Sequence, residues 1–193
     1  MVVLSKQVEA TNEYLEDHEL IEKLNGEETR NFAFNQLVRK YQERIYWHIR
    51  KMVLDHDDAD DVVQEVFIKV WKNLDSFRQD SKLYTWIYRI ATNECLNFLK
   101  KRKRASFFSI SDYEDVLVSK LDHSVSMDGD QVEIKLQKAL LTLPDKQRLV
   151  FNMKYFEEMK YEDMSEITGT SVGSLKASYH HAVKKIEKFL NSD

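Results

Sequence analysis

Tyr84, Trp86 and Tyr88 stand beside Lys82 and Arg89 in a stretch that ends in the run Lys100-Lys101-Arg102-Lys103-Arg104. Aromatic faces next to cations suit unpaired bases, each stack contributing about 1–3 kcal/mol, and a cationic run suits phosphates. Just upstream, Asp61, Gln64, Glu65 and Ile68 recur at spacings that share one side of a helix. Acids, then aromatics, then bases is an order that suits an adaptor holding a protein on one face and a nucleic acid on the next. The formal net charge of −4 argues against a nucleic-acid partner until its distribution is considered. Between 83 and 104, Arg89 and the five terminal bases face Glu94 alone. Between 105 and 130, Asp112, Glu114, Asp115, Asp122, Asp128 and Asp130 face only Lys120.

Helices must position these residues. With one proline and four glycines the chain lacks the turn formers of a sandwich or barrel, so an all-α fold is expected. Tyr14, Leu15, Ile21 and Leu24 mark a first helix before Asn25-Gly26. Phe34, Leu37, Val38, Tyr41, Ile45, Ile49 and Met52 mark a second by their three-and-four spacing. In the third, Val62, Val63, Val66, Phe67, Val70, Trp71 and Leu74 form the apolar stripe, leaving Asp61, Gln64, Glu65 and Ile68 opposite. A solvated face with one stray isoleucine is the plainer account of that pattern. Residues 75–82 read as a polar loop carrying Phe77, and a fourth helix begins near Leu83. Its core line through Leu83, Ile87, Ile90 and Ala91 places Tyr88 well off it, with Tyr84 and Trp86 at its margins. Core aromatics with wet edges remain the alternative to a stacking surface. Thr29-Arg30-Asn31 is expected to lengthen a loop.

Residues 105–132 lack helical periodicity and are rich in Ser and Asp, which predicts a flexible linker between two small helical domains, 1–104 and 133–193. In the second domain Ile134, Leu136, Leu140 and Leu143 give one helix, and Pro144 is placed to open the next, which presents Leu149, Val150, Met153 and Phe156. A short helix over 161–168, Gly169 as a left-handed stop and Ser171 as N-cap of a long helix to about Leu190 follow helix-turn-helix grammar. A plain helical hairpin would share that grammar. Val172, Leu175, Tyr179, Ala182, Val183 and Ile186 cluster on one face of the long helix. Gly173, Ser174, Ala177, His180, His181, Lys184 and Lys188 therefore face outward, with Lys176 at the flank. Small residues near its start permit close approach to a DNA groove, and the lysines suit phosphates.

Other chemistry finds little support. His180-His181 point about 100° apart on a helix with no Cys or Asp at ligand spacing, and His56 with Asp57, Asp58, Asp60 and Asp61 reads better as an acid-rich helix start than as a cation cluster. No Ser-His-Asp pattern, phosphate-binding glycine loop or HExxH occurs, so no catalytic residue, metal or cofactor is expected. A nucleic-acid enzyme would have to rely on the loop acids Asp75 and Asp80. A self-sufficient helix-turn-helix regulator would need a dimerisation seam or an effector domain, and neither pattern is visible. The single Cys95 fits a reducing compartment, and no apolar run approaches the ~18 residues of a membrane span, so a cytoplasmic protein without membrane insertion is expected.

The run Asp60-Asp61-Val62-Val63-Gln64-Glu65-Val66-Phe67-Ile68-Lys69-Val70-Trp71, then Phe77-Arg78-Gln79-Asp80-Ser81 and Tyr84-Thr85-Trp86-Ile87-Tyr88-Arg89-Ile90-Ala91-Thr92-Asn93, resembles the second conserved region of bacterial RNA polymerase sigma factors of the extracytoplasmic-function group. Ala139, Leu140, Leu143 and Pro144, with Arg148, Tyr155, Tyr161 and Ser171-Val172-Gly173-Ser174-Leu175-Lys176, resemble the group's fourth region. The resemblance implies a non-catalytic initiation factor that binds core RNA polymerase, directs it to promoter DNA and helps open the duplex. It implies that Asp61, Gln64, Glu65 and Ile68 meet the polymerase clamp. Phe77, Lys82 and Asn93, with Tyr84, Trp86 and Arg89 nearby, would capture a flipped base of the minus-10 element, and Lys100, Lys101, Arg102, Lys103 and Arg104 would neutralise phosphates. Ser171, Gly173, Ser174, Lys176, Ala177, His180, His181 and Lys184 would face the minus-35 duplex. An anti-sigma partner is common in the group. Many relatives carry Lys-Ser-Arg and then an Arg-Ala pair where this chain has Lys176-Ala177-Ser178 and His181-Ala182, which implies more reliance on shape, phosphates or the polymerase itself.

Overall fold

Periodicity close to 3.6 runs through nearly every segment that carries apolar residues, and in the computed structural model of the chain those segments are helices. The structure describes residues 14–105 and 131–191. Among them are eight α-helices: α1 (Asp17–Leu24), α2 (Arg30–Val53), α3 (His56–Asn73), α4 (Leu83–Ala105), α5 (Gln131–Leu141), α6 (Asp145–Tyr155), α7 (Tyr161–Thr168) and α8 (Val172–Leu190). A single 3₁₀ turn, Leu74–Ser76, follows α3. No described residue lies in a strand. The fold is thus all-α, as composition implied.

Two compact units divide the chain, Met1–Lys40 and Tyr41–Asp193. In the first, α1 is fixed at its start by a capping box, Glu16 N–H donating to the Glu19 carboxylate at 3.1 Å. Lys40 pairs with Asp17 at 2.8 Å and donates to the Leu15 carbonyl at 2.7 Å. Thr29-Arg30-Asn31 does not lengthen a loop. The Thr29 hydroxyl donates to the Lys23 carbonyl at 2.6 Å, the Arg30 N–H reaches Gly26 O at 2.9 Å, and α2 starts at Arg30. A side-chain bond that closes the turn lets the helix begin earlier than its apolar pattern suggests.

In the second unit α3 and α4 pack face to face. Val62, Val66, Phe67 and Val70 of α3 are buried, as are Leu83, Ile87, Ala91, Cys95 and Leu99 of α4. Ile45, Ile49 and Met52 are fully enclosed as well. Helices α5, α6 and α8 keep a separate core of Ala139, Leu140, Leu143, Phe151, Ala182 and Ile186, edged by Tyr179 and Val183. Pro144 sits at the N-cap of α6, one position outside the helix it was expected to open, and its carbonyl accepts from Gln147 and Arg148 N–H. Helix α7 packs between α4 and α8. Residues 41–105 and 131–191 fall in the second of these compact units. Most of the expected linker, residues 106–130, lies outside the described residues, and α5 begins at Gln131.

Candidate nucleic-acid interface and neighbouring surfaces

On α3 the Asp55 carboxylate caps the helix by accepting from Asp58 N–H at 3.2 Å, and Asp57 and Asp58 in the first turn complement its dipole. The expected acidic stripe is where periodicity put it: Asp61, Gln64 and Glu65 are exposed and Ile68 is 45% exposed. A shallow groove of about 320 Å³ runs beside it, lined by Asp61, Glu65, Glu94, Asn97, Phe98 and Lys101 among others. Lys69 bridges to Glu94 at 2.5 Å across the α3–α4 seam. The acids near His56 have separate partners, since Asp58 pairs with Arg102 while His56 lies 2.7 Å from the Tyr46 hydroxyl and 3.6 Å from Asp60.

The aromatic set at the start of α4 divides in two. Phe77 and Trp86 are half-buried neighbours, their ring centroids 5.0 Å apart at 41°, and Asn93 is exposed two turns further along the helix. By contrast Lys82, Tyr84 and Arg89 are engaged by α7. Lys82 Nζ lies 3.2 Å from Asp163 Oδ1, and Arg89 Nε donates to the Glu166 carbonyl at 3.0 Å. Burial raises the Tyr84 hydroxyl well above its usual range, and its hydrogen bond to Asp163 adds to the rise. Burial also pushes the Asp163 carboxyl up, but hydrogen bonds from Tyr84 and Lys82 outweigh it and hold the group below the ordinary carboxylate range.

Tyr88 corrects the helical-wheel reading. It was expected well off the core line and is 6% exposed, its ring edge-on to His48 at 5.1 Å and to Tyr84 at 5.8 Å. The wheel identified the face of α4 turned away from α3 but not the second layer that covers it. Glu157 and Met159 lie beside Tyr88 in a groove of about 550 Å³ that Arg44, Trp47, Lys51 and Lys160 also line.

In the basic run, Lys100, Lys101 and Arg104 are exposed and form no ion pair among the described residues. Arg102 pairs with Asp58, and Lys103 pairs with Asp145 at 2.8 Å. Only part of the run is thus available in this arrangement.

The turn between α7 and α8 is built as the sequence implied. Gly169 takes φ 66°, ψ 18°, its N–H donating to Ser165 O at 2.9 Å, and Ser171 caps α8 by accepting from Ser174 N–H at 3.3 Å. Leu175, Ala182 and Ile186 are buried, whereas Ser171, Gly173, Ser174, Lys176, Ala177, His180, His181 and Lys184 are all exposed. Lys176 Nζ and Lys154 Nζ flank the Tyr161 ring at 5.6 and 5.1 Å. The His180 and His181 ring centroids are 6.0 Å apart.

Sequence reasoning missed a polar seam inside the second unit. His48, 1% exposed, is held between Thr92 Oγ1 at 3.0 Å and Glu157 Oε1 at 2.9 Å. The buried Arg148 donates to the Met52 carbonyl at 3.1 Å, and Asn152 Nδ2 donates to Lys51 O at 3.3 Å. The signal for each was a polar residue set among residues that became core. His48 falls on the Tyr41–Ile45–Met52 line, and Arg148 and Asn152 interleave with Leu149, Phe151 and Met153.

Comparison with known proteins shows which family the chain belongs to. Residues 37–105 match the family described as Sigma-70 region 2, and residues 133–186 match Sigma-70, region 4. The RNA polymerase sigma-H factor of Pseudomonas aeruginosa is 34% identical over 91% of this chain and 94% of its own. The ECF RNA polymerase sigma-E factor of Haemophilus influenzae is 30% identical over 91% of this chain and 95% of its own. Among solved structures, the sigma factor RpoE of Bartonella quintana in complex with the anti-sigma factor NepR superposes with a TM-score of 0.62 at 24% identity, covering 83% of this chain and 98% of that one. With both regions present in order, in a frame shared almost end to end with characterised relatives, the chain belongs to the extracytoplasmic-function family of RNA polymerase sigma factors, which direct promoter-specific transcription initiation.

Proposed function

We propose that this sigma factor divides its work among three surfaces. The exposed stripe Asp61, Gln64, Glu65 and Ile68 on α3 docks on core RNA polymerase, where an apolar residue ringed by polar ones gives a small desolvated centre. Phe77, Trp86 and Asn93, joined by Lys82, Tyr84 and Arg89, take a base flipped from the minus-10 strand, and Lys100 to Arg104 hold the adjoining phosphates. The exposed face of α8 enters the minus-35 duplex. Lacking arginine there, it relies on Lys176 and Lys184 at phosphates and on close approach at Gly173, Ser174 and Ala177. The chain is partitioned functionally into 1–104 for polymerase and the melted strand, 105–132 as connector, and 133–193 for duplex DNA. It acts as an initiation factor rather than a catalyst, in the cytoplasm where polymerase works. An anti-sigma protein is a natural partner, since the similar factor from Bartonella quintana was solved with one.

The observation that carries this reading is the half-buried Phe77–Trp86 ring pair, with Asn93 exposed on the helix that carries Trp86, together with the exposed stripe on α3. Transcription in vitro with core polymerase on genomic fragments tests it. Trp86→Ala and Asn93→Ala should each cut promoter opening by at least fivefold, one stack or hydrogen bond being worth about 1–3 kcal/mol. Core binding, read by pull-down, should stay unchanged. Equal loss of both would refute the division of labour.

A further inference from the structure

Between the C-terminal half of α2, the start of α4 and the turn joining α6 to α7 lies the groove of about 550 Å³, within the ~300–1,000 Å³ of small-molecule sites. Most of its walls belong to none of the polymerase or DNA surfaces described above. On α2, Arg44, Trp47 and Lys51 follow one another at spacings of three and four and so share a face, and Trp47 is 51% exposed. Tyr46 meets the Trp47 ring at 5.2 Å and 76°, and among the described residues no ring stacks parallel to it. Lys160, from the α6–α7 turn, adds a third cation to the groove. Arg44, Lys51 and Lys160 form no ion pair among the described residues, and Lys51 Nζ lies 5.1 Å from the centre of the Phe156 ring. Of the acids in the groove, Asp163 is committed to Lys82 and Tyr84, and Glu157 to His48. Three cations against the exposed Glu158 are left uncommitted, a balance that favours an anion.

Glu157 supplies the specific element. Its Oε1 lies 2.9 Å from His48 Nδ1, while its Oε2 is buried with no hydrogen-bond partner among the described residues, on a side chain 11% exposed. A buried charged acceptor with a vacant lone pair calls for a donor. The next residue, Glu158, takes φ 52°, a left-handed conformation that side chains disfavour, and strained positions of this kind cluster at ligand clamps.

We propose that this groove binds a free guanine nucleotide: the base stacks on Trp47 and gives an N–H to Glu157 Oε2, and the phosphates lie among Arg44, Lys51 and Lys160. Guanine suits a carboxylate because its Watson–Crick edge sets N1–H and N2–H₂ side by side, both donors. Adenine sets the N1 lone pair beside its N6 donor and repels the same oxygen. Such binding is a property of the free chain and requires neither promoter nor polymerase.

Isothermal titration of the full chain with GDP is the test. One GDP should bind per chain and saturate it below about 1 mM, with ADP and guanosine each about tenfold weaker. Trp47→Ala removes the stack and should weaken GDP about tenfold, with a thermal melt confirming the fold. Lys160→Ala, at an exposed side chain, should weaken GDP about fivefold and leave guanosine unchanged, which a general loss of structure would not do. Glu157→Gln puts a donor where guanine needs an acceptor, so the preference for GDP over ADP should fall about tenfold. Should Trp47→Ala fail to fold, the Lys160→Ala and Glu157→Gln readouts decide. Absence of saturable binding overturns the site, as do equal affinities for GDP and ADP, or GDP affinity unmoved in a folded Trp47→Ala. A nucleic-acid strand carries the same guanine phosphate, so a guanine-containing single strand of DNA is added as competitor. Displacement of GDP by that strand at lower concentration overturns the assignment to a free nucleotide, and failure to displace it supports the assignment.

Discussion

Replacing Ile68 tests the surface proposed to dock on polymerase separately from the rest of the molecule. Ile68 is 45% exposed on α3, so its inner half rests on the protein and its outer half meets water. Full burial of an isoleucine is worth about 1.5–3 kcal/mol, so covering the outer half against a partner contributes about 1 kcal/mol. Ile68→Ala removes most of that area and should weaken core polymerase binding about fivefold, because 1.4 kcal/mol corresponds to tenfold. Ile68→Asp removes the same area and also adds a third carboxylate to the stripe that holds Asp61 and Glu65. Burying an unpaired acid there should raise the loss well beyond tenfold. Neither substitution touches Val66, Phe67 or Val70, the buried side of α3, and exposed sites normally change stability by less than about 0.5 kcal/mol. Fluorescence anisotropy of labelled protein titrated with core polymerase reads the binding, and thermal melts of the free protein read the fold. Undiminished polymerase affinity in Ile68→Asp, with an unaltered melt, would refute the docking surface.

Gly169 sits at φ 66° with nothing within 4 Å of where a Cβ would be, so Gly169→Ala meets only the intrinsic penalty of the left-handed conformation, about 1–2 kcal/mol. A urea melt should show that loss, and a near-zero change would mean the turn relaxes freely. Alkaline stability follows from Cys95, whose thiol is pushed up from 9.0 to about 12, chiefly by burial. The unfolded chain releases this proton first, so the folded state holds more protons across the interval and stability must fall as pH rises from about 9 to 12. The hydroxyls of half-buried Tyr84 and buried Tyr88, both raised chiefly by desolvation, act in the same direction. Urea midpoints that rise across that window would contradict the assignment.

Local chemistry was legible in the sequence where each residue's neighbours in space are also its neighbours along a helix. The α3 stripe, the α8 face from Ser171 to Lys184, the Gly169 stop and the Ser171 cap depend on angles of 100° per residue and on one backbone hydrogen bond each. Four of those features stand where the pattern put them. Tyr88 fails that rule because its environment comes from Glu157 and Met159, some seventy positions away along the chain and on no shared helix.

The residues that were not legible have a property in common. His48, Arg148 and Asn152 are polar groups set among residues that became core, and burying such a group without a partner costs about 1–3 kcal/mol. Their presence in those stripes implied partners without naming them. The structure supplies them across a single seam, where Thr92 and Glu157 take His48, Met52 O takes Arg148 and Lys51 O takes Asn152. A core meant to stay closed would more simply be apolar at these positions, since well-packed hydrophobic replacements are often as stable or more so. Polar groups that can exchange protein partners for water lower the cost of separating the two sides. The seam that defeated sequence reading is therefore held by hydrogen bonds between segments far apart along the chain, which no periodicity within one helix could reveal.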